Sequence, residues 1–232
     1  MPSDFNRPDF NAIARPYRWL EYLSFGPMLE RCRFHRLPEL ANARRALVLG
    51  DGDGRFLTRL LSQNPQLHAD VVDLSPAMLR LLNDRATRIS ARDRITLHCG
   101  DARTFPLSGS YDLVITHFFL DCLTTEEIRD LAARISSHLC PGARWIVSEF
   151  AIPSGPFSLP AKLLVRSLYA TFHLLTGLKT DRLPDYPSVL RASGLILVDR
   201  RHWLGGLLVS EMWEAQATSR VPSPSSSLEG RT

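Results

Sequence analysis

Glycines at positions 50, 52 and 54, with aspartates between them, form the first arrangement in this chain that could do chemistry. Residues without a Cβ let the backbone turn tightly and approach a bound molecule closely. The loop follows the apolar run Ala46–Leu49 and precedes a helical pattern over Arg55–Ser62, so it should sit at the C-terminal end of a strand. Asp73 ends the next apolar run, Ala69–Val72. A carboxylate there can accept hydrogen bonds from both hydroxyls of a ribose, or can serve simply as the acid before a helix start, favoured by the helix dipole. Gly100-Asp101-Ala102 ends a third run, Ile95–Cys99, where Asp101 could accept from an adenine amino group and the Ala102 N–H could approach a ring nitrogen. Ligands of open α/β sheets bind beyond the C-terminal strand ends, where strand order reverses. All three positions fall on that edge and together suit an adenosine ligand. The spacing is not the GxGxxG of nicotinamide-dinucleotide sites, which disfavours an oxidoreductase of that kind.

Groups able to move a proton follow the fourth apolar run, Asp112–Thr116. His117 could contact a cofactor, act as a base, or be a buried histidine bonded to backbone. Asp121 could orient such a histidine or cap the next turn. His173 and His202 are weaker candidates. Glu149, at the end of the run Arg144–Ser148, either lines a pocket or bonds structurally to the N-terminal segment.

The elements that must position these residues alternate strand and helix. Ser75 is expected to N-cap a helix with Pro76 at its first position, running to about Ile89. Thr125 is expected to cap a helix through Leu139, with Glu126 and Glu127 in its first turn, and Cys140-Pro141-Gly142 then turns into the next strand. A short helix Tyr186–Ala192 leads to a strand Leu195–Trp203, and Gly205-Gly206 reverses the chain into Leu207–Trp213. This rhythm predicts a Rossmann-like, doubly wound α/β fold with a mostly parallel seven-stranded sheet that ends in an antiparallel hairpin. The expected organisation is an N-terminal helical extension over residues 1–40, a main domain over 41–216 with a helical lid near 157–177, and a disordered Ser/Pro-rich tail over 217–232. Leu159–Leu175 is apolar nearly all round; core packing, a homodimer face and an apolar wall for a substrate are the readings it allows.

Bulk composition narrows the function classes. With 44% hydrophobic and 22% charged residues the chain is ordinary for a soluble domain, and no apolar run suggests stable membrane insertion or a signal peptide, so a cytoplasmic location is expected. The net charge of +4 comes from arginines spread among acids rather than gathered in a patch, so no nucleic-acid partner is expected. The 4 cysteines show no metal spacing and are expected to be reduced and mostly buried, with no metal.

The successive segments Ala46–Gly54, Val71-Val-Asp-Leu-Ser-Pro-Ala-Met-Leu79, Cys99-Gly-Asp-Ala102 and Tyr111-Asp-Leu-Val-Ile-Thr-His117 resemble the ordered motifs of class I S-adenosylmethionine (SAM)-dependent methyltransferases. The resemblance is closest to the small-molecule enzymes of the ubiquinone/menaquinone-biosynthesis type, and covers about Phe10 to Trp213. It implies a cofactor site made of Tyr17, Gly50, Asp51, Gly52, Gly54, Asp73, Leu74, Met78, Asp101, Ala102 and His117, with His117 and Asp121 near the reacting centre. It also implies methyl transfer from SAM to a small, apolar or aromatic molecule by in-line displacement. A protein that binds SAM without catalysis is the alternative. The family usually places an acid two positions before the first glycine, where this chain has Val48. Asp51 and Asp53 either take over part of that role or face solvent.

Overall fold

The computed structural model describes residues 27–153, 155, 158–159, 163 and 183–216. Tyr17, His173, the expected tail and all of the expected lid except Ser158, Leu159 and Leu163 lie outside the described residues. Seven strands form one sheet: β1 (Arg45–Leu49), β2 (His68–Asp73), β3 (Ile95–Cys99), β4 (Tyr111–His117), β5 (Leu139–Phe150), β6 (Leu195–Trp203) and β7 (Leu208–Ala215). Their order is β3-β2-β1-β4-β5-β7-β6. β1 through β5 pair in parallel, while β7 runs antiparallel to both β5 and β6. The helices are α1 (Met28–Phe34), α2 (Arg55–Gln63), α3 (Pro76–Arg88), α4 (Thr125–Ser136) and α5 (Tyr186–Ala192).

The period of two along β1 divides the interior into two cores. Ala46 and Val48 face Phe56, Leu57, Leu60 and Leu61 of α2 and Leu79, Leu82 and Ala86 of α3. Leu47 and Leu49 face the opposite layer, built from Ile128, Leu131, Ala132 and Ile135 of α4 and Val189 and Leu190 of α5. Chain leaving β1 and β2 therefore returns over one face, and chain leaving β4 returns over the other. The reversal lies between β1 and β4, which opens a crevice at their C-terminal ends.

Three expectations are corrected. Thr124, not Thr125, caps α4: its hydroxyl accepts from Glu127 N–H, while the Glu127 carboxylate accepts from Thr124 N–H at 2.8 Å, a reciprocal capping box. The helix stops at Ser136, and Leu139 already pairs with Tyr111 in β5; an irregularity after this pair, with Gly142 at φ +73°, absorbs the expected turn at Cys140–Gly142. Of the cysteines only Cys32 is buried, and Cys99 is exposed. Ser75 caps α3 as expected, accepting from Met78 N–H at 3.3 Å. Among the described residues no helix is long and apolar enough to cross a membrane.

Gly54, the residue before α2, shows how tightly the glycine loop is built into this frame. Its φ is +78°, and a Cβ there would come within 2.8 Å of Leu82 Cβ and 3.0 Å of Leu82 Cα. Gly52 has φ +62° but open space around the same point. Gly54→Ala should therefore cost about 3 kcal/mol, combining a left-handed backbone with overpacking, and Gly52→Ala only about 1 kcal/mol. Urea unfolding followed by circular dichroism checks this, and equal losses would contradict it.

Candidate functional site

The loop leaving β1 carries three left-handed glycines, Gly50 (φ +66°), Gly52 (φ +62°) and Gly54 (φ +78°). Gly50 N–H donates to Val72 O at 3.1 Å, tying the loop to the end of β2, and Gly100 N–H donates to Asp73 O at 3.0 Å, tying β3 to the same edge. A Cβ on Gly50 would lie 2.7 Å from the Phe119 ring, so that side chain can rest on the loop only because position 50 is glycine. The open side of Gly52 offers backbone to a ligand.

Asp73 stands where the loop and β2 meet. One carboxylate oxygen accepts from Ser75 N–H at 2.8 Å, and Gly52 N–H also donates to the group. Burial nevertheless pushes Asp73 up to about 6. Asp101 ends β3 and is gripped by Arg103, whose backbone N–H reaches Asp101 Oδ1 at 2.9 Å and whose Nη2 reaches Oδ2 at 2.6 Å. Arg103 also bonds Glu127 of the α4 capping box, so the start of α4 helps to fix Asp101. Ala102 and Met78 are buried, and the Leu74 carbonyl accepts from the Cys99 thiol at 3.9 Å. The residues expected at the cofactor edge from Gly50 to Ala102 are thus brought together.

The two aspartates inside the loop part company. Asp53 is neutralised by Arg55 at 3.0 Å and Arg85 at 2.8 Å, which makes it a tie between α2 and α3. Asp51 turns toward the start of α2, where its Oδ2 accepts from Leu57 N–H at 3.2 Å. Loss of water, with Asp53 and Asp73 close by, pushes Asp51 up to about 7, although Arg33 works the other way. Val48 is fully buried in the α2–α3 core.

His117 and Asp121 lie at the same strand end but share no hydrogen bond; of the two readings open for Asp121, orienting His117 is not the one realised. His117, only 3% exposed, pairs its Nδ1 with Ser148 Oγ at 2.9 Å and packs edge-on against Phe56 with centroids 4.4 Å apart; its Nε2 is buried without a partner. Burial, and after it the charge of Arg33, hold this imidazole well below its usual range, so it is neutral. Asp121 sits instead with Glu149. Glu149 is 1% exposed, and its Oε1 accepts the N–H groups of Phe119 (3.0 Å) and Leu120 (2.7 Å) while Oε2 has no partner. Burial raises both carboxyls, and the Asp121 charge raises Glu149 further, which favours a proton held by the pair. Glu149 thereby bonds the β4 exit loop. His202 is exposed on the edge strand β6.

Some of the residues shaping this edge carry no sequence signal. Phe118 has φ +53°, uncommon for a bulky residue, and donates its N–H to Ser148 O at 2.7 Å. Its ring meets Phe150 at 5.2 Å, with the Arg33 guanidinium 5.1 Å from the Phe118 centroid. Met28, Leu29, Trp203 and Leu208 pack in the same cluster, beside the end of β5. Arg103 could have been found from its place two residues after Asp101. Ser148 and Phe119 could not, because register and loop shape bring them in.

Residues 46–142 match the family model of the methyltransferase domain. The chain is 32% identical over 131 residues to polyamine aminopropyltransferase 2 of Bacillus cereus, covering 52% of this chain and 36% of that protein. It is 29% identical over 156 residues to 3-hydroxy-5-methyl-1-naphthoate 3-O-methyltransferase of Streptomyces sahachiroi, covering 66% and 45%. The chain thus spans less than half the length of these two relatives. Among solved structures, an O-methyltransferase family protein from Burkholderia thailandensis superposes with a TM-score of 0.66 at 18% identity, covering 92% of this chain and 66% of that one. The matched segment, which is similar to a methyltransferase domain, holds the glycine loop, Asp73 and Asp101 on a sheet of the same fold as the Burkholderia structure.

Proposed function

We propose that this chain transfers the methyl group of SAM to a small apolar or aromatic acceptor at the crevice between β1 and β4. The observation that carries this reading is Asp73, a half-buried carboxylate at the end of β2 beside a glycine loop with an open backbone face. When bound, SAM supplies a methyl group on a sulfonium, with a neutral thioether as leaving group. Asp73 receives the ribose hydroxyls, and Asp101, held in place by Arg103, receives the adenine amino group. Leu74, Met78 and Ala102 supply apolar walls. Catalysis then rests mainly on alignment and on exclusion of water, which together account for about 7–11 kcal/mol in favourable systems.

An apolar acceptor is supported by the cluster of Phe118, Phe150, Met28 and Trp203 at the neighbouring strand ends. The Streptomyces relative, named for methylation of a hydroxynaphthoate, points the same way. A hydroxyl acceptor loses a proton on methylation. His117, neutral with an unpartnered Nε2, and the second carboxylate of the Asp121–Glu149 pair are the groups at this strand end that can take that proton. Aminopropyl transfer is a second reading, favoured by the similarity to the Bacillus proteins of that name.

Incubation with SAM and a panel of phenols, quinols and amines should accumulate S-adenosylhomocysteine (SAH), detected by liquid chromatography. Asp73→Asn should lower kcat/KM for SAM at least about tenfold, mainly through KM. SAH binding without turnover on any acceptor would favour the non-catalytic alternative, and turnover only with decarboxylated SAM and a polyamine would favour aminopropyl transfer. The pH dependence of the ribose contact follows from Asp73. Ribose hydroxyls donate to the ionised carboxylate, and in the free protein a proton competes for it below about pH 6. The Kd of methylthioadenosine, which has a ribose but no charged end, should be flat above pH 7 and rise about tenfold per unit well below pH 6. A flat profile down to pH 5 would remove Asp73 from the ribose site.

A further inference from the structure

Beneath α1, three buried side chains form a line of hydrogen bonds whose direction is set by one backbone carbonyl. Cys32 of α1 is fully buried, and its thiol donates to Val209 O of β7 at 3.4 Å. Ser148 of β5, equally buried, bonds the same sulfur through its hydroxyl. On its other side Ser148 Oγ pairs with His117 Nδ1 at 2.9 Å. The line thus runs from the end of β4 through β5 to α1 and stops on the β7 backbone. Ser210 lies opposite Ser148 in the β5–β7 ladder, but its hydroxyl oxygen has no hydrogen-bond partner and so does not compete for Ser148.

The hydrogens can be placed in order from the β7 end. Burial pushes the Cys32 thiol up to about 12, so it keeps its hydrogen. A carbonyl oxygen can only accept, which commits that hydrogen to Val209 O and leaves the sulfur as an acceptor. The Ser148 hydroxyl hydrogen then points to the sulfur, and its oxygen has only lone pairs to offer His117. Nδ1 must therefore carry the hydrogen between them. Which imidazole nitrogen is protonated is set by the bond that the other one makes. His117 is neutral, so Nε2 keeps its lone pair. That atom is buried without a partner, while Phe56 of α2 packs edge-on against the ring and Arg33 of α1 is the charge that acts on it. An unsatisfied buried acceptor is unfavourable, and a donor arriving on a ligand would relieve it.

From this line of bonds we infer that Ser148 and Cys32 are positioning residues that hold His117 as its Nδ1–H tautomer, with Nε2 taking the proton of an acceptor hydroxyl. The inference rests on the methyl-transfer reading above, and it selects His117 from the groups able to take that proton. In the step the acceptor oxygen bonds the methyl carbon as the carbon–sulfur bond breaks toward sulfur, and the hydroxyl hydrogen passes to Nε2. The positive charge lost from the sulfonium reappears on the imidazolium, whose Nδ1–H already has Ser148 Oγ as its acceptor.

The tautomer can be read on the free protein. In a two-bond proton–nitrogen correlation spectrum of the labelled full chain near pH 7, His117 should show a protonated Nδ1 and a bare Nε2, with His117→Gln identifying the signals. Cys32→Ala frees the Ser148 hydroxyl to turn toward Nδ1, and Nε2 should then carry the hydrogen. Cys32→Ser keeps a donor for Val209 O and an acceptor for Ser148, and should keep the wild-type tautomer. On a hydroxyl acceptor that the wild type methylates, Cys32→Ala should lower kcat at least about tenfold while KM for SAM stays within about twofold. Melting temperatures of both variants report separately on the fold. A wild-type Nε2–H tautomer, or the same tautomer in Cys32→Ala as in the wild type, overturns the inference. So does a Cys32→Ala variant whose tautomer switches but whose kcat does not fall. Absence of SAH formation by the wild type on any acceptor overturns the methyl-transfer reading instead, and the spectrum of the free protein tells the two failures apart.

Discussion

Neighbouring strands β1 and β4 send their chains to opposite faces of the sheet, and the rest of the site follows from that divergence. With Ala46 and Val48 committed to the α2–α3 layer and Leu47 and Leu49 to the α4–α5 layer, neither layer can close over the strand ends between them. The crevice is a consequence of burying two apolar faces at once. The glycine loop must cross this opening and still start α2 against α3, which is why Gly54 abuts Leu82 so closely. Packing thus constrains the same five residues to which the proposed function assigns the cofactor.

A second constraint is electrostatic. The crevice edge gathers Asp51, Asp73, Asp121 and Glu149 where water is scarce, and burial raises each of them. Such an assembly is unfavourable by itself unless protons, backbone donors or cations compensate. Asp121 and Glu149 are stabilised internally, by a retained proton and by the N–H groups of Phe119 and Leu120. That arrangement holds the β4 exit loop so that Phe119 lies on Gly50. Asp51 and Asp73 are stabilised less completely, and a ligand with hydroxyls and a positive charge would supply what they lack. Potential that disfavours the empty crevice is the same potential that would select a cationic cofactor.

Much of this was legible in the sequence because it is local. Apolar runs ending at Leu49, Val72, Cys99 and Thr116 mark the strands to within about one residue, since buried parallel strands read as short continuous apolar segments. Ser75-Pro76 announced α3 through its own cap. Where the reading failed, the deciding contact was non-local or ambiguous over one position. Thr124 and Thr125 are both capping residues, and only the reciprocal bond with Glu127 selects the first. Sequence left open whether Asp121 orients His117, four residues back; the register of β4 against β5 gives His117 Ser148 instead and leaves Asp121 to Glu149. The left-handed Phe118 has no signature in residue type at all.

If the β1–β4 crevice is the cofactor cradle, its occupant must show a definite pose. The most direct measurement is a crystal structure of the full chain grown with SAH. Density should place the nucleoside beyond the ends of β2 and β3, with both ribose hydroxyls within hydrogen-bonding distance of Asp73 and the adenine amino group at Asp101. Nucleoside density elsewhere on the protein, or ribose hydroxyls bonded to groups other than Asp73, would contradict it.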